Sequence, residues 1–282
     1  MLIIAVFGMF VSVLITNGLI SSEIGVDATG AGPDGPDTGV PAVIANGGPV
    51  IDLTQGRTDS LGMPPKTVAL TFDDGPDPEL TPRILAILAR YDVRATFNLM
   101  GYNASRHRDL VRALVGGGHE LGNHTWSHED LAFQSPAATF RQLERGLVAV
   151  ERAAGVRPRF FRPPRGELTG AALQAAAQLG HDVLLWSVTR GPAGVGTPRA
   201  VADHLAAAIG PGDVIGLHDG IGRGTFDRGG AGARVLEARR RVEVAALPAA
   251  IEAVLTRNLR LITATELLDA PATASPPASG GG

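Results

Sequence analysis

Residues 70–77 read LTFDDGPD, an apolar run that ends in two adjacent carboxylates, Asp73 and Asp74, followed by glycine and proline. Like charges this close destabilise each other unless a cation or a shared proton relieves them. Asp-Gly-Pro is also ordinary turn chemistry, so the octapeptide alone leaves turn and site open. What the rest of the chain brings to the same place has to decide.

Working outward, two sequence periods alternate. Short apolar, β-branched runs occur at TVALTF (67–72), ATFNLM (95–100), HELGNH (119–124), RFFRPP (159–164), DVLLWSV (182–188), DVIGLHD (213–219) and LRLITA (259–264). Between them lie stretches with helical spacing. TPRILAILARY (81–91) has Pro near its start, and RDLVRALVGGG (108–118) stops on glycines. SPAATFRQLERGLVAVERAAG (135–155) opens on Ser-Pro and closes on Gly, and three further segments, 168–180, 197–210 and 247–258, complete the set. Strand, helix, strand, helix over two hundred residues predicts parallel strands joined by right-handed crossovers. Seven strand candidates suit an α/β fold of barrel type better than an open sheet.

The 282 residues, 44% apolar and 19% charged, suit one sizeable domain with appendages. A formal net charge of −3 carries no nucleic-acid footprint. There is no cysteine, so disulfides, thiolate metal sites and a cysteine nucleophile are excluded. Any metal must be held by His, Asp or Glu. Lys66 is the only lysine, and it sits at a segment boundary. Residues 1–22 are uncharged and apolar and read as a hydrophobic membrane anchor helix, with a cleaved signal segment as the alternative. Residues 23–65 are rich in Gly and Pro and read as a linker, and 270–282 as a disordered tail. The folded domain is then 66–269, expected to be a monomeric catalytic unit on the extracytoplasmic side, membrane-anchored or secreted.

The polar residues gather at strand ends. Asp73 and Asp74 end the first run, His124 follows the third, Arg162 the fourth, and His218 and Asp219 end the sixth. In β/α folds that end of the sheet is where chemistry happens, and this regularity favours a site over a turn. HTWSH (124–128) puts His124 and His128 one turn apart if the chain is helical there, close enough to share one ion. Two imidazoles and a carboxylate describe a catalytic metal site with open positions. One carboxylate then binds the metal while the other serves as base, with His218 placed to protonate a leaving group and Arg162 to orient the base. The same ligand set suits non-haem iron oxygenases, but their antiparallel fold conflicts with the alternation here.

TFDDGPDP, HTWSH, FRPPRG, WSV and LHDG, in this order, resemble the polysaccharide deacetylases of carbohydrate esterase family 4, the NodB-homology group. The resemblance spans 66–269. It implies a distorted (β/α) barrel that removes acetyl groups from N- or O-acetylated polysaccharide, such as peptidoglycan or chitin-like oligomers. It also implies a divalent metal, zinc first, with cobalt, nickel or manganese as alternatives. Carried over by position, Asp73 is the base, Asp74, His124 and His128 the metal ligands, Arg162 the residue orienting the base, and His218 the acid. The main-chain N–H of Arg165 matches an oxyanion donor, and Leu217 the lining of the acetyl-methyl pocket. Trp186 is a candidate sugar-stacking residue, with strand packing as the alternative; Trp126 is equally open. Two departures stand out. Arg165 replaces a tyrosine, and Thr189 stands where an Asp that tunes His218 is expected. The latter motivates a rival reading, a carbohydrate-binding pseudo-deacetylase with little turnover. His107, His181 and His204 read as surface or capping residues and His119 as a hydrogen-bonded core residue. The Gly- and Arg-rich segment after His218 (220–241) reads as a long solvated loop, with a grip on an anionic polymer as the alternative.

Overall fold

The computed structural model describes residues 42–43, 49–51 and 66–269; residues 1–22 and 270–282, read as anchor and tail, lie outside these. The apolar runs form strands. After β1 (Ala42–Val43) and β2 (Pro49–Ile51) come β3 (Thr67–Asp73), β4 (Thr96–Leu99), β5 (Glu120–Asn123), β6 (Phe160–Phe161), β7 (Asp182–Leu184), β8 (Val188–Thr189), β9 (Val214–His218) and β10 (Arg260–Ile262). The helices are α1 (Leu80–Arg90), α2 (Gly101–Arg106), α3 (Arg108–Gly116), α4 (Pro136–Ala154), α5 (Gly170–Gln178), α6 (Pro198–Ala208), α7 (Ala231–Leu255) and α8 (Ala264–Asp269). Helix boundaries follow the local signals. α4 starts where the Ser135 hydroxyl accepts from the Ala138 N–H and Pro136 occupies the first turn, and it ends at Gly155 with φ 74°.

The strand order is β1-β2-β7-β6-β5-β4-β3-β9-β8, and β10 also pairs with β3. Every pairing is parallel except β1 with β2. β3 therefore sits at a fork, with Thr67–Ala69 against β10 and Thr71–Asp73 against β4. β7 and β8 stand six ladder steps apart in this order, about 29 Å in a flat sheet at ~4.8 Å per step. Yet only residues 185–187 connect them, a link that reaches at most about 14 Å. The sheet must curl, giving a half-barrel of parallel strands wrapped by helices.

Parallel register brings the C-terminal ends of the strands to one rim. Asp73 lies beside both Asn98 of β4 and His218 of β9, and Asn123 lies beside Leu99 and Phe161. β3 is buried at all seven positions, as expected of a central parallel strand. Phe72 and Phe97 stack at 5.0 Å on the face covered by α1 and α7, a contact worth about 0.5–1.5 kcal/mol beyond its area. α1 contributes Leu80, Ile84 and Leu88 to the same core, one residue per turn.

Two readings change. The segment read as linker contributes β1 and β2, and Ile51, 1% exposed, joins Phe160, Leu184 and Val214 in the core. The segment after His218 is not a long loop. Gly222–Phe226 form a short 3-10 helix and α7 runs from Ala231, so the arginines belong to an ordered helix. Among the described residues no helix is long and apolar enough to cross a membrane.

Candidate active site

The pocket at the strand rim has a volume of about 420 Å³, in the usual range for ligand sites. Asp73, Asp74, His124, His128, Arg165, Trp186 and His218 line it, together with Arg223, Leu236, Arg239 and Arg240. At its floor, Asp73 Oδ1 accepts from Arg162 Nη1 at 2.8 Å and from Asn98 Nδ2 at 2.7 Å. The Arg162 side chain is fully buried and donates its other bonds to Thr71 Oγ1, Leu184 O and Leu185 O. Burial pushes the Asp73 carboxyl up, but the Arg162 guanidinium, with His124, His218 and Asn98, outweighs it and holds the group below the usual carboxylate range. Both bonds fall on Oδ1, which leaves Oδ2 for the pocket.

Asp74, His124 and His128 each offer one ligand atom, all within 4.8 Å of one another. His124 Nδ1–H donates to the Arg162 carbonyl at 2.7 Å. A carbonyl can only accept, so Nδ1 carries a hydrogen and in the neutral ring the Nε2 lone pair faces Asp74; burial pushes this imidazole's pKa down, but Asp74 and Asp73 outweigh it and raise it. Asp74 Oδ1 lies 3.5 Å from His124 Nε2 and 3.4 Å from His128 Nε2, and as a buried atom it has no hydrogen-bond partner. Three donors placed ~2.1 Å from one tetrahedral ion stand about 3.4 Å apart. The donor set and its spacing thus fit a divalent cation, and the orphaned oxygen has no other evident use. Burial pushes the Asp74 carboxyl up, yet His128, His124, His218 and Arg240 hold it well below the ordinary range. Burial also lowers His128 to about 4, which keeps its ring neutral and able to ligate.

The backbone here is unusual. Asp74 (φ 78°), Thr125 (φ 65°), His128 (φ 55°) and Arg165 (φ 60°) are non-glycine residues in the left-handed region, each at a cost of order 1 kcal/mol. HTWSH is therefore a turn rather than the helix its spacing suggests: the His128 N–H bonds Thr125 Oγ1 and the two rings meet edge-on at 5.0 Å. The two rings still converge on one candidate cation position, through the turn instead of a helix face. Gly75 is required by close approach, since a Cβ there would sit 2.0 Å from Asp219 Oδ2. Asp219 in turn accepts from the Gly75 N–H and the Thr81 hydroxyl, and burial raises its carboxyl to about 8.

The family model for polysaccharide deacetylases matches residues 61–184. A peptidoglycan-N-acetylglucosamine deacetylase of Bacillus cereus is 34% identical over 157 residues, covering 55% of this chain and 73% of that protein. A chitooligosaccharide deacetylase of a Bradyrhizobium species is 39% identical over 157 residues, covering 55% and 71%. The chain belongs to the polysaccharide deacetylase family. A solved peptidoglycan N-acetylglucosamine deacetylase superposes with a TM-score of 0.62 at 32% identity, over 72% of this chain and 87% of the other.

In this deacetylase the expected pairing partner of His218 comes from an unexpected place. Thr189 is exposed on β8, but His218 Nδ1 lies 3.1 Å from Glu243 Oε2. Glu243 is buried on α7 and also meets Arg240 Nη1 at 3.0 Å and Arg190 Nε at 3.2 Å. Burial pushes its carboxyl up, but His218 and Arg240 outweigh this and hold it at about 2. The loss of a carboxylate read at Thr189 is thus offset by one from a different element. Sequence reasoning missed Glu243 because nothing at residue 243 marks it except its spacing from Arg239 and Arg240.

Leu217 departs from its expected role. His218 points into the pocket, so its neighbour on the strand points the opposite way, and Leu217 packs in the helix-side core with Leu70, Ile215 and Leu247. The pocket-facing neighbour is Gly216, where a Cβ would lie 3.1 Å from Trp186. Trp186 does line the pocket, with its ring 5.4 Å from the Arg162 guanidinium. Trp126 faces a separate depression, under the Arg145 guanidinium at 4.1 Å. His204 is exposed and His107 caps α2, as read, and His119 Nδ1 accepts from the Ala95 N–H. His181 is a correction. It is 1% exposed, donating to Arg159 O and accepting from Asn123 Nδ2, while Asn123 Oδ1 receives the Thr125 N–H. His181 thereby supports the turn that carries His124 and His128.

Proposed function

We propose that this polysaccharide deacetylase releases acetate from N-acetylated sugars of a cell-envelope glycan outside the cytoplasm, held there by residues 1–22. The reading rests on one observation: a three-donor candidate cation site beside the Asp73 carboxylate, with His218 next to Asp73 on the neighbouring strand. Asp74, His124 and His128 would hold a divalent cation, zinc first, which when bound polarises the acetyl carbonyl and eases ionisation of water. Asp73 Oδ2 accepts the proton of the attacking water as its oxygen bonds the acetyl carbon. Arg162 keeps Asp73 charged and aimed. We assign the main-chain N–H of Arg165, in its left-handed turn on the pocket wall, to the developing oxyanion. Glu243 holds Nδ1 of His218, so Nε2–H is the donor presented to the pocket. That proton goes to the amine as the C–N bond breaks, giving acetate and a free amino sugar. Glu243 supplies the carboxylate whose absence motivated the binding-only alternative.

The test is acetate release by the full chain, with zinc or cobalt added, on N-acetylglucosamine oligomers and on peptidoglycan. Asp73→Asn should lower kcat by roughly 10²–10⁴ without changing metal stoichiometry. Chelation should abolish turnover and lower the melting temperature, since a ligand at ~100 times its Kd stabilises by about 2.7 kcal/mol. A folded, metal-loaded wild type that releases no acetate would refute the reading.

A further inference from the structure

The wall that α7 presents to the pocket carries a charge that no ion pair among the described residues balances. Leu236, Arg239, Arg240 and Glu243 fall at i, i+3, i+4 and i+7, so one helix face looks into the site. Arg240 is fully engaged: Nε donates to Gly220 O at 2.9 Å, Nη1 to Glu243 at 3.0 Å and Nη2 to Asp74 Oδ2 at 3.3 Å. Arg190 pairs with Glu243 and donates to the carbonyls of Pro192, Gly194 and Val195. At the rim, Arg223 pairs with Glu129 and Arg165 with Asp130.

Arg239 is different. It lines the pocket, is half-buried, and its Nε is buried with no hydrogen-bond partner; among the described residues it makes no ion pair. Its neighbours are cationic, because Arg190 feels both Arg239 and Arg240 as like charges. The pocket's own carboxylates do not satisfy it: Asp73 is matched by Arg162, and Asp74 by two histidines and Arg240. A partly desolvated guanidinium left unpaired is costly, and a planar fork of donors suits a carboxylate or phosphate best.

Building on the deacetylase reading, we propose that Arg239 forms an anion subsite that selects glycans bearing a carboxylate or phosphate on, or next to, the acetylated sugar. A neutral oligomer of N-acetylglucosamine leaves this guanidinium unpaired. A glycan with a lactyl ether carboxylate on alternate sugars, or a phosphorylated sugar, supplies the missing partner. The same arrangement gives the arginines after His218 a use that an unstructured loop would not have.

The experiment compares four tetrasaccharides with the metal-loaded full chain: neutral N-acetylglucosamine, one with lactyl carboxylates, the methyl ester of the latter, and a 6-phosphorylated form. Wild type should favour an anionic substrate over the neutral one by about 10-fold in kcat/KM, as one charge-assisted hydrogen bond of about 1.4 kcal/mol requires. The ester should fall to the neutral level, and the favoured anion identifies the source. Arg239→Gln should collapse the anionic-to-neutral ratio towards one, while Arg239→Lys should retain part of it. Equal rates on all four substrates, or an unchanged ratio in Arg239→Gln, would overturn the proposal. Calorimetric binding of the lactyl tetrasaccharide gives a readout without turnover. Weakening of about 10-fold in Arg239→Gln supports the subsite even if no acetate is released, in which case only the deacetylase reading fails; unchanged affinity overturns the subsite.

Discussion

The two walls of the pocket are built by different rules. The strand-rim wall holds Asp73 at the end of β3 and Asp74, His124, His128 and Arg162 just beyond strand ends, Asp74 and His128 with left-handed backbone, and a fully buried arginine locks it together. It lies within the residues matched by the family model. The α7 wall lies beyond that match and has no backbone exception; ordinary helix spacing alone aims Leu236, Arg239, Arg240 and Glu243 at the same space. The contrast separates two kinds of demand. Reacting groups need their oxygens and nitrogens held within a fraction of an ångström, which strained turns can do. Tuning and selectivity need only a charge of the right sign nearby, which a helix face provides without strain.

If the strand wall is one preorganised unit, Arg162→Met should be the most damaging change on either wall. It strips four acceptors of their donor and leaves Asp73 a buried, unpaired carboxylate, so unfolding free energy should drop by about 3–5 kcal/mol. A denaturant midpoint shifted by far less would mean the two walls are held alike. Glu243→Gln comes next. We expect kcat to fall about 10-fold, the scale of a lost hydrogen bond to a charged partner. An unchanged kcat would reduce Glu243 to a packing role.

His181 gives a smaller effect that reports on the strand wall alone. Burial lowers it to about 4, so it is neutral when folded and protonates more readily when unfolded. Its contribution is therefore present above the unfolded value near 6.5 and is lost as pH falls from there towards 4, about 3 kcal/mol in all. The slope of melting temperature between pH 6.5 and 4 should flatten in His181→Gln; an unchanged slope would show that other groups carry it. The smallest expected effect is Thr189→Asp. His218 already has its carboxylate, so kcat should stay unchanged, and a clear rise would show that Glu243 is an inadequate substitute.

Much of this was legible beforehand for a physical reason. Strand and helix periods are local properties, and in a parallel sheet the residues that end the apolar runs arrive at one rim, so Asp73, Asp74, His124, Arg162 and His218 declared themselves by position. Within that frame the sequence misled wherever a side chain's direction mattered. Leu217 lies beside His218 in the chain but on the other face of the strand. His181 carries no local mark of the Asn123 amide and Arg159 carbonyl that bury it. The HTWSH spacing suits either a helix or a turn, and the choice depends on the Thr125 hydroxyl meeting the His128 N–H.

By itself, then, the amino-acid sequence determined the alternating parallel architecture, the gathering of polar residues at the strand ends and the choice of candidate cation ligands and base. All of these follow from short-range periodicity and residue type. Tertiary structure alone decided that Glu243 faces His218 and that Arg239 enters the pocket with no ion pair among the described residues. Those facts depend on how a helix begun at residue 231 rotates as it packs on the sheet, and that rotation is set by contacts with residues far away in the chain.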